Sequence, residues 1–515
     1  MDDGSETIEM TNTKRFVGKY ALPSGQEAVG ELTLAGSKTL LTLHSDDFLQ
    51  NVEPGACLTG VAYNGDILSL IDCRSSGTGH TSFKDGPTKY HADVFPHFVA
   101  VGRVHLSPAE ARIAGVHFTT TDLSTLFYDF DAFSHVIDAR PIIDAVLSER
   151  RTIRDVEAGD YPQVLYFTGK TCIAEVQTVI GKISVHHCPR SNMGGPSGIY
   201  IKNRIVVSIE PDSPVTFDEA MNKMYEVCSF LSFIAGRAQG IERIHVTTTE
   251  TVDGFPQMVT VHQSYKWKCS GGEEHRPHPA DVPLDPIRRK EEFNNVLVDW
   301  ITRNRDWRLA RGRYLGCLQK SNKYTTDRLV GAANMFDILP MTALPANPPL
   351  EENLAKTRDA CVEMFQKLPV GLDRDSALSA LARLGQPSLP KKVAHRVAIV
   401  ERKFGETLPD LQFVTKTAIQ CRNFYVHGSR GRIDFEKIEP LMHFLTDALE
   451  FVFAASDLLE AGWDPAQWIA EPKGWGHSFA RFRAEYNLAL RELQRTISPR
   501  RSLPLTRGKS KKAEG

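Results

Sequence analysis

A chain of 515 residues is long enough for two to four domains, and its formal net charge of −2 excludes a global positive field for DNA or membrane binding. A 41% hydrophobic and 24% charged composition is that of an ordinary globular protein. The acidic, polar start MDDGSETIEMTNTK does not read as a signal peptide, and no apolar run approaches the roughly 18 residues of a membrane span. The nine scattered cysteines, odd in number and without a CxxC pair, argue against a disulfide framework or zinc ribbon and for reduced thiols in a cytoplasm.

Residues 1–12 read as a disordered tail. From 13 to 265 the chain alternates apolar and polar residues, or runs rich in Val, Ile and Thr, with Gly, Asn and Pro between them. Strands are expected at 30–43, 56–71 (with a turn at Asn64-Gly65), 98–106, 164–167, 171–186 and 199–209. Two helical patches, 137–150 and 218–235, interrupt them. The second carries an apolar stripe through Met221, Met224, Val227, Cys228 and Leu231. Residues 266–286, rich in Pro, Gly and charge, read as a linker. Beyond it the pattern is helical, at 291–304, 325–339, 350–367, 376–384, 391–404, 410–426, 435–460 and 478–493. The end, 494–515, reads as a basic disordered tail. The fold class is therefore α+β and multidomain: a β-rich domain at 13–265 followed by an all-α domain at 287–493.

The most informative residues close the helix at 410–426. Its apolar positions Leu411, Val414, Ala418, Cys421 and Tyr425 form one stripe, with Arg422 on the flank and His427 five residues later, just before Gly428. Arginine can hold a phosphate through two parallel hydrogen bonds, and histidine titrates near neutrality. Together they supply what metal-free RNA cleavage requires: a proton carrier at the ribose 2′-OH and a cation at phosphorus. Five residues is about 140° around an ideal helix and about 7.5 Å along it, so the two side chains should diverge. They can cooperate if the helix ends or distorts at Gly428, or if two copies pair across a two-fold axis; the shared site is the favoured expectation. The bland alternative is a structural arginine beside a histidine that merely complements the helix dipole. Asn423 beside the arginine, and Arg430 and Arg432 in the glycine-rich turn that follows, favour the chemical reading.

Arg422-Asn423-Phe-Tyr-Val-His427-Gly428 between two long helices resembles the Rx4–6H motif of HEPN domains, over roughly 285–490. The preceding half resembles the β-rich region of the ApeA family, in Gly30-Glu-Leu-Thr-Leu, Leu40-Leu-Thr-Leu and Gly115-Val-His-Phe-Thr-Thr-Thr-Asp-Leu-Ser-Thr-Leu-Phe. The resemblance implies a bacterial anti-phage, abortive-infection protein. Its first half would sense a phage protein, and its HEPN domain would cleave host RNA, with tRNA as target class, as a metal-independent endoribonuclease that pairs as a homodimer or higher oligomer. It implies Arg422 and His427 as the catalytic pair, Asn423 as auxiliary, and Asp337 as the acidic residue many HEPN domains carry on an earlier helix. No cofactor, metal or membrane enters this reading. The alternative is an inactive HEPN-type scaffold or adaptor that binds a protein or nucleotide.

Arg303, Arg305 and Trp307 form a basic cluster with an aromatic and are the further candidate RNA contact. In His186-His187-Cys188 only the first and third residues share a strand face, so at most those two could serve one site.

Overall fold

A computed structural model describes residues 13–84, 86–192, 194, 196, 198–265, 276–346, 350–428 and 434–497. The expected tail at 1–12, residues 498–515 of the expected tail at 494–515, and residues 266–275 of the expected linker lie outside these residues; residues 494–497 continue the last helix instead of opening a tail. Two compact units emerge: Met1–Asp306 with Glu460–His477, and Trp307–Leu459 with Ser478–Gly515.

The first unit begins with six antiparallel strands: β1 (Lys14–Ala21), β2 (Glu27–Leu34), β3 (Leu40–Ser45), β4 (Ala56–Ala62), β5 (Ile67–Thr81) and β6 (Lys89–Gly102). They pair in the order β6-β3-β2-β1-β4-β5, and β5 pairs with β6 again, which closes a barrel. Period-two alternation fills it: Phe16 and Tyr20, Ala28 and Leu32, Leu41 and Leu43, and Leu58 and Ala62 are all buried. Two glycines let the strands approach. A Cβ at Gly60 would stand 2.5 Å from the Tyr20 ring, and one at Gly18 would stand 2.2 Å from the Val61 carbonyl oxygen. The stretch expected as one strand at 30–43 is two, because Gly36 takes a left-handed conformation and the Thr39 hydroxyl accepts from the Ala35 amide.

The unit continues with β7 (Ile113–Thr120), α1 (Leu123–Leu126), β8 (Phe133–His135), α2 (Arg140–Arg151), β9 (Leu165–Phe167), β10 (Cys172–Thr178), β11 (Gly181–His187), β12 (Arg190–Asn192), β13 (Tyr200–Lys202), β14 (Ile205–Glu210), α3 (Phe217–Ala235), β15 (Ile241–Val252) and β16 (Phe255–Gln263). Strand β6 is long enough to serve two neighbours on one edge: residues 90–94 pair with β3, and residues 98–101 with β16. From there the sheet extends outward as β16-β15-β7-β14-β11-β10. Helix α3 starts with a full capping box between Thr216 and Glu219, packs along β7 and ends at a left-handed Gly236.

The remaining helices are α4 (Lys290–Leu318), α5 (Thr326–Asp337), α6 (Glu352–Gln366), α7 (Leu372–Ala382), α8 (Leu389–Phe404), α9 (Leu411–His427), α10 (Met442–Glu460), α11 (Ala466–Ala470) and α12 (Ser478–Ile497). The compact division falls within α4, after Asp306, because its first turns bury Phe293 and Trp300 against Phe230 and Phe233 of α3. In the second unit α10 is buried on all sides, as a central helix must be. It starts at Met442 rather than 435, since Pro440 sits in a 3-10 turn before it. Its buried acids are each met. Arg311 makes a two-pronged bond to Asp457 (2.8 and 3.0 Å), and Arg328 makes one to Glu450 (2.8 and 2.9 Å). Among the described residues, no helix is long and apolar enough to cross a membrane.

Candidate active site

Of the stripe expected on α9, Leu411, Val414, Ala418 and Cys421 are buried and Tyr425 is half-buried. Burial pushes the Cys421 thiol up to about 11, which makes it a packing group rather than a nucleophile. Below the helix end, Phe424 stacks on Phe435 with ring centres 4.6 Å apart. Gly428 stops the helix in a left-handed conformation (φ 64°), its amide donating to the Phe424 carbonyl at 2.8 Å. Arg422 and His427 therefore sit in the last two turns of a helix that remains regular to its end.

On one chain these two side chains meet. Arg422 Nη1 lies 3.3 Å from His427 Nε2 and donates to Asn423 Oδ1 at 3.1 Å. The divergence expected from ideal helix angles does not occur, because the long arginine stem carries the guanidinium along the helix toward the histidine. A guanidinium has donors only, so this contact is a hydrogen bond in the tautomer that leaves Nε2 free to accept. Arg422 is largely covered, with 14% of its side chain exposed, whereas His427 is open to solvent. Among the described residues the arginine Nε is buried without a hydrogen-bond partner.

The other half of the site comes from α5 and α8, which pack against α9 and each other. Asn334 Oδ1 accepts from Arg422 Nη2 at 3.0 Å. Asp337, one turn on, lies 4.0 Å from the same nitrogen and 3.9 Å from Lys392 Nζ of α8. Lys392 also donates to the Asp337 carbonyl at 2.8 Å, satisfying an end carbonyl of α5. Asp337 is thus beside the arginine, but at the outer limit of an ion pair, and Asn334 is its direct neighbour. Asn334 is not a residue that the sequence alone marks out. Its one signal is its position three residues before Asp337, which puts both on one helix face.

The remaining candidates separate. Arg430 and Arg432 lie outside the described residues. Arg303 is held by Asp299 on its own helix (2.7 and 3.1 Å), and Arg305 is exposed. Trp307 requires a correction: it is 2% exposed, packs on Phe453 and is flanked by the guanidiniums of Arg311 and Arg396 at 5.3 and 5.0 Å. An apolar stripe on α4 draws the indole into the core, so no base can stack on it. Among the described residues no group of three or more His, Cys, Asp or Glu is arranged to hold a metal.

Two family models match the chain. One, described as ApeA N-terminal domain 1, matches residues 15–300; the other, described as Apea-like HEPN, matches residues 331–467. The second match contains Asn334, Asp337, Lys392, Arg422, Asn423 and His427. No curated protein and no solved structure matched.

Proposed function

The chain belongs to the ApeA family, with a C-terminal HEPN domain, and we propose from this that it is a two-part anti-phage ribonuclease. HEPN domains as a family are nuclease-like, dimerise and bind RNA. In our reading the β-rich half senses a phage protein, and the helical half then cuts host RNA, with tRNA as the target class, in the cytoplasm. The observation that carries the catalytic part is the contact of Arg422 with His427 Nε2 at an exposed helix end, with Asn334 holding the guanidinium from behind.

The chemistry follows from those atoms. His427 Nε2 takes the proton of a ribose 2′-OH, whose oxygen attacks the adjacent phosphorus. Arg422 turns its donors from the imidazole to the phosphoryl oxygens and stabilises the charge of the five-coordinate transition state. The 5′-oxygen leaves and takes up a proton from the imidazolium, or from His427 of a second copy in a paired domain. The products are a 2′,3′-cyclic phosphate and a 5′-hydroxyl. Asn423 and Asp337 keep the guanidinium in place, and Arg430 and Arg432 supply further phosphate contacts.

The test is RNA cleavage in excess EDTA, with RNA ends sequenced from cells expressing the wild type and His427→Ala. Cyclic-phosphate ends at defined sites, lowered about 100- to 10,000-fold in the variant, are expected. Cleavage that needs a divalent metal, or survives the substitution, overturns the mechanism. The scaffold alternative draws on the same hydrogen bonds, which would suit a purely structural arginine. It predicts no motif-dependent toxicity on overexpression, so toxicity that disappears in Arg422→Ala excludes it.

A further inference from the structure

The extended sheet of the first unit has one face turned to α3 and another that lines a groove of about 1840 Å³. The two faces follow from period-two alternation. Val116, Phe118, Val207, Ile244 and Val246 are buried on the helix side. The residues between them are polar, and the pairing register aligns them: Ser184 opposite Ser208, Ser208 opposite His117, His117 opposite His245, and His245 opposite Thr260. This row is internally bonded. His117 reaches Ser208 at 2.8 Å and Thr247 at 2.9 Å, and His245 reaches Thr260 at 3.2 Å.

Around this row the charges are one-sided. Lys14, Arg190, Arg204 and Arg243 line the groove against a single carboxylate, Glu242. Among the described residues none of these four cations has an ion-pair partner. Two groups are left open. Among the described residues the Arg204 Nε is buried without a hydrogen-bond partner, and so is the hydroxyl of Thr119, a residue only 7% exposed that also lines the groove. A buried donor left unpaired is unfavourable by itself and is relieved by an oxyanion.

Size and lining narrow the ligand. The groove is larger than the roughly 300–1,000 Å³ of small-molecule pockets, so a polymer segment fits it better than a single nucleotide. Among the described residues Phe118 is the only Phe, Tyr or Trp lining the groove, and it is 1% exposed and turned to the other face; ring nitrogens of His117, His186 and His245 are bonded within the sheet, so the groove offers bases no large exposed ring on which to stack. We propose that this groove binds an acidic polypeptide segment, its carboxylates pairing with Arg190, Arg204 and Arg243 and its polar groups meeting Thr119 and the histidine row. This deepens the sensing half of the reading above and rests on it only for the consequence of binding. The binding itself is measured without RNA cleavage, so either idea can fail while the other stands.

The experiment uses the full chain and a short fluorescein-labelled polyglutamate peptide, read by anisotropy at physiological salt, with a polyglutamine peptide and a single-stranded RNA of similar length as comparators. Saturable binding of polyglutamate alone is expected, weakened about tenfold or more by Arg204→Gln and by Arg243→Gln. Arg243 is exposed, so its variant should keep the wild-type melting temperature and report binding even if Arg204→Gln folds poorly. Three outcomes overturn the proposal. They are no binding of polyglutamate, tighter binding of the RNA with the same arginine dependence, and equal weakening by Arg154→Gln, an exposed arginine outside the groove.

Discussion

The interior of the helical unit and the groove of the β-rich unit use arginine in opposite ways. Inside the helices Arg311 faces Asp457 and Arg328 faces Glu450, each through two hydrogen bonds. In the groove Arg190, Arg204 and Arg243 gather with, among the described residues, one lining carboxylate and no ion pair. Arginines that meet an acid within the fold organise the core. The groove arginines are the ones the proposed acidic segment would meet. Arg422 combines both situations: its terminal nitrogens are engaged by Asn334, Asn423 and His427, and its Nε is not.

That contrast can be broken most decisively by stability. Asp457→Ala leaves Arg311 buried without its acid and should destabilise the helical unit by about 3–5 kcal/mol, read from the urea midpoint. Arg243→Gln should change stability by no more than about 0.5 kcal/mol. Similar losses from the two would erase the distinction. Next in size is the intermediate arginine. Arg422→Ala should lower RNA cleavage about 100- to 1,000-fold, and Arg422→Lys should recover little of it, because an ammonium lacks the planar fork. A lysine variant near wild-type activity would show that charge alone suffices.

A smaller effect compares two neutral polar groups. Asn334→Ala removes a hydrogen bond to a charged group and should reduce cleavage about tenfold or more through a loosened guanidinium. Thr119→Val removes a hydroxyl that has no partner among the described residues, and should leave the melting temperature unchanged or raise it. A drop in melting temperature would mean that the hydroxyl is satisfied in the resting protein. The smallest effect is on pH dependence. Burial and the neighbouring Glu450 hold the Asp447 carboxyl above the ordinary carboxylate range. A carboxyl whose pKa is raised on folding binds its proton more tightly in the folded state. Its contribution to stability is therefore present at acidic pH and lost as pH rises through neutrality. Asp447→Asn should flatten that decline in melting curves taken across the range. An unchanged slope would assign the decline to other groups.

Much of the site was legible because its parts are local. The stripe Leu411–Val414–Ala418–Cys421, the helix stop at Gly428 and the Arg422–His427 spacing all lie within one helix, where 3.6-residue periodicity relates sequence to position. The same periodicity misjudged their divergence, since backbone angles say where Cβ points and not how far an arginine stem can bend. Trp307 was misassigned for a related reason: a tryptophan among arginines has the composition of an RNA contact, but the side chains of α10 decide whether it faces water.

By itself the sequence determined the local elements and their chemistry: a β-rich half, a helical half, and a helix ending in an arginine and a histidine. Tertiary structure decided which distant residues became neighbours. Asn334 stands 88 positions from Arg422 and binds it. His117, Ser208 and His245 form one row only because β14, β7 and β15 pair in that register. A strand carries every second residue to one face, but its neighbours are set by which strands pair. That depends on long-range packing that no short stretch of sequence encodes.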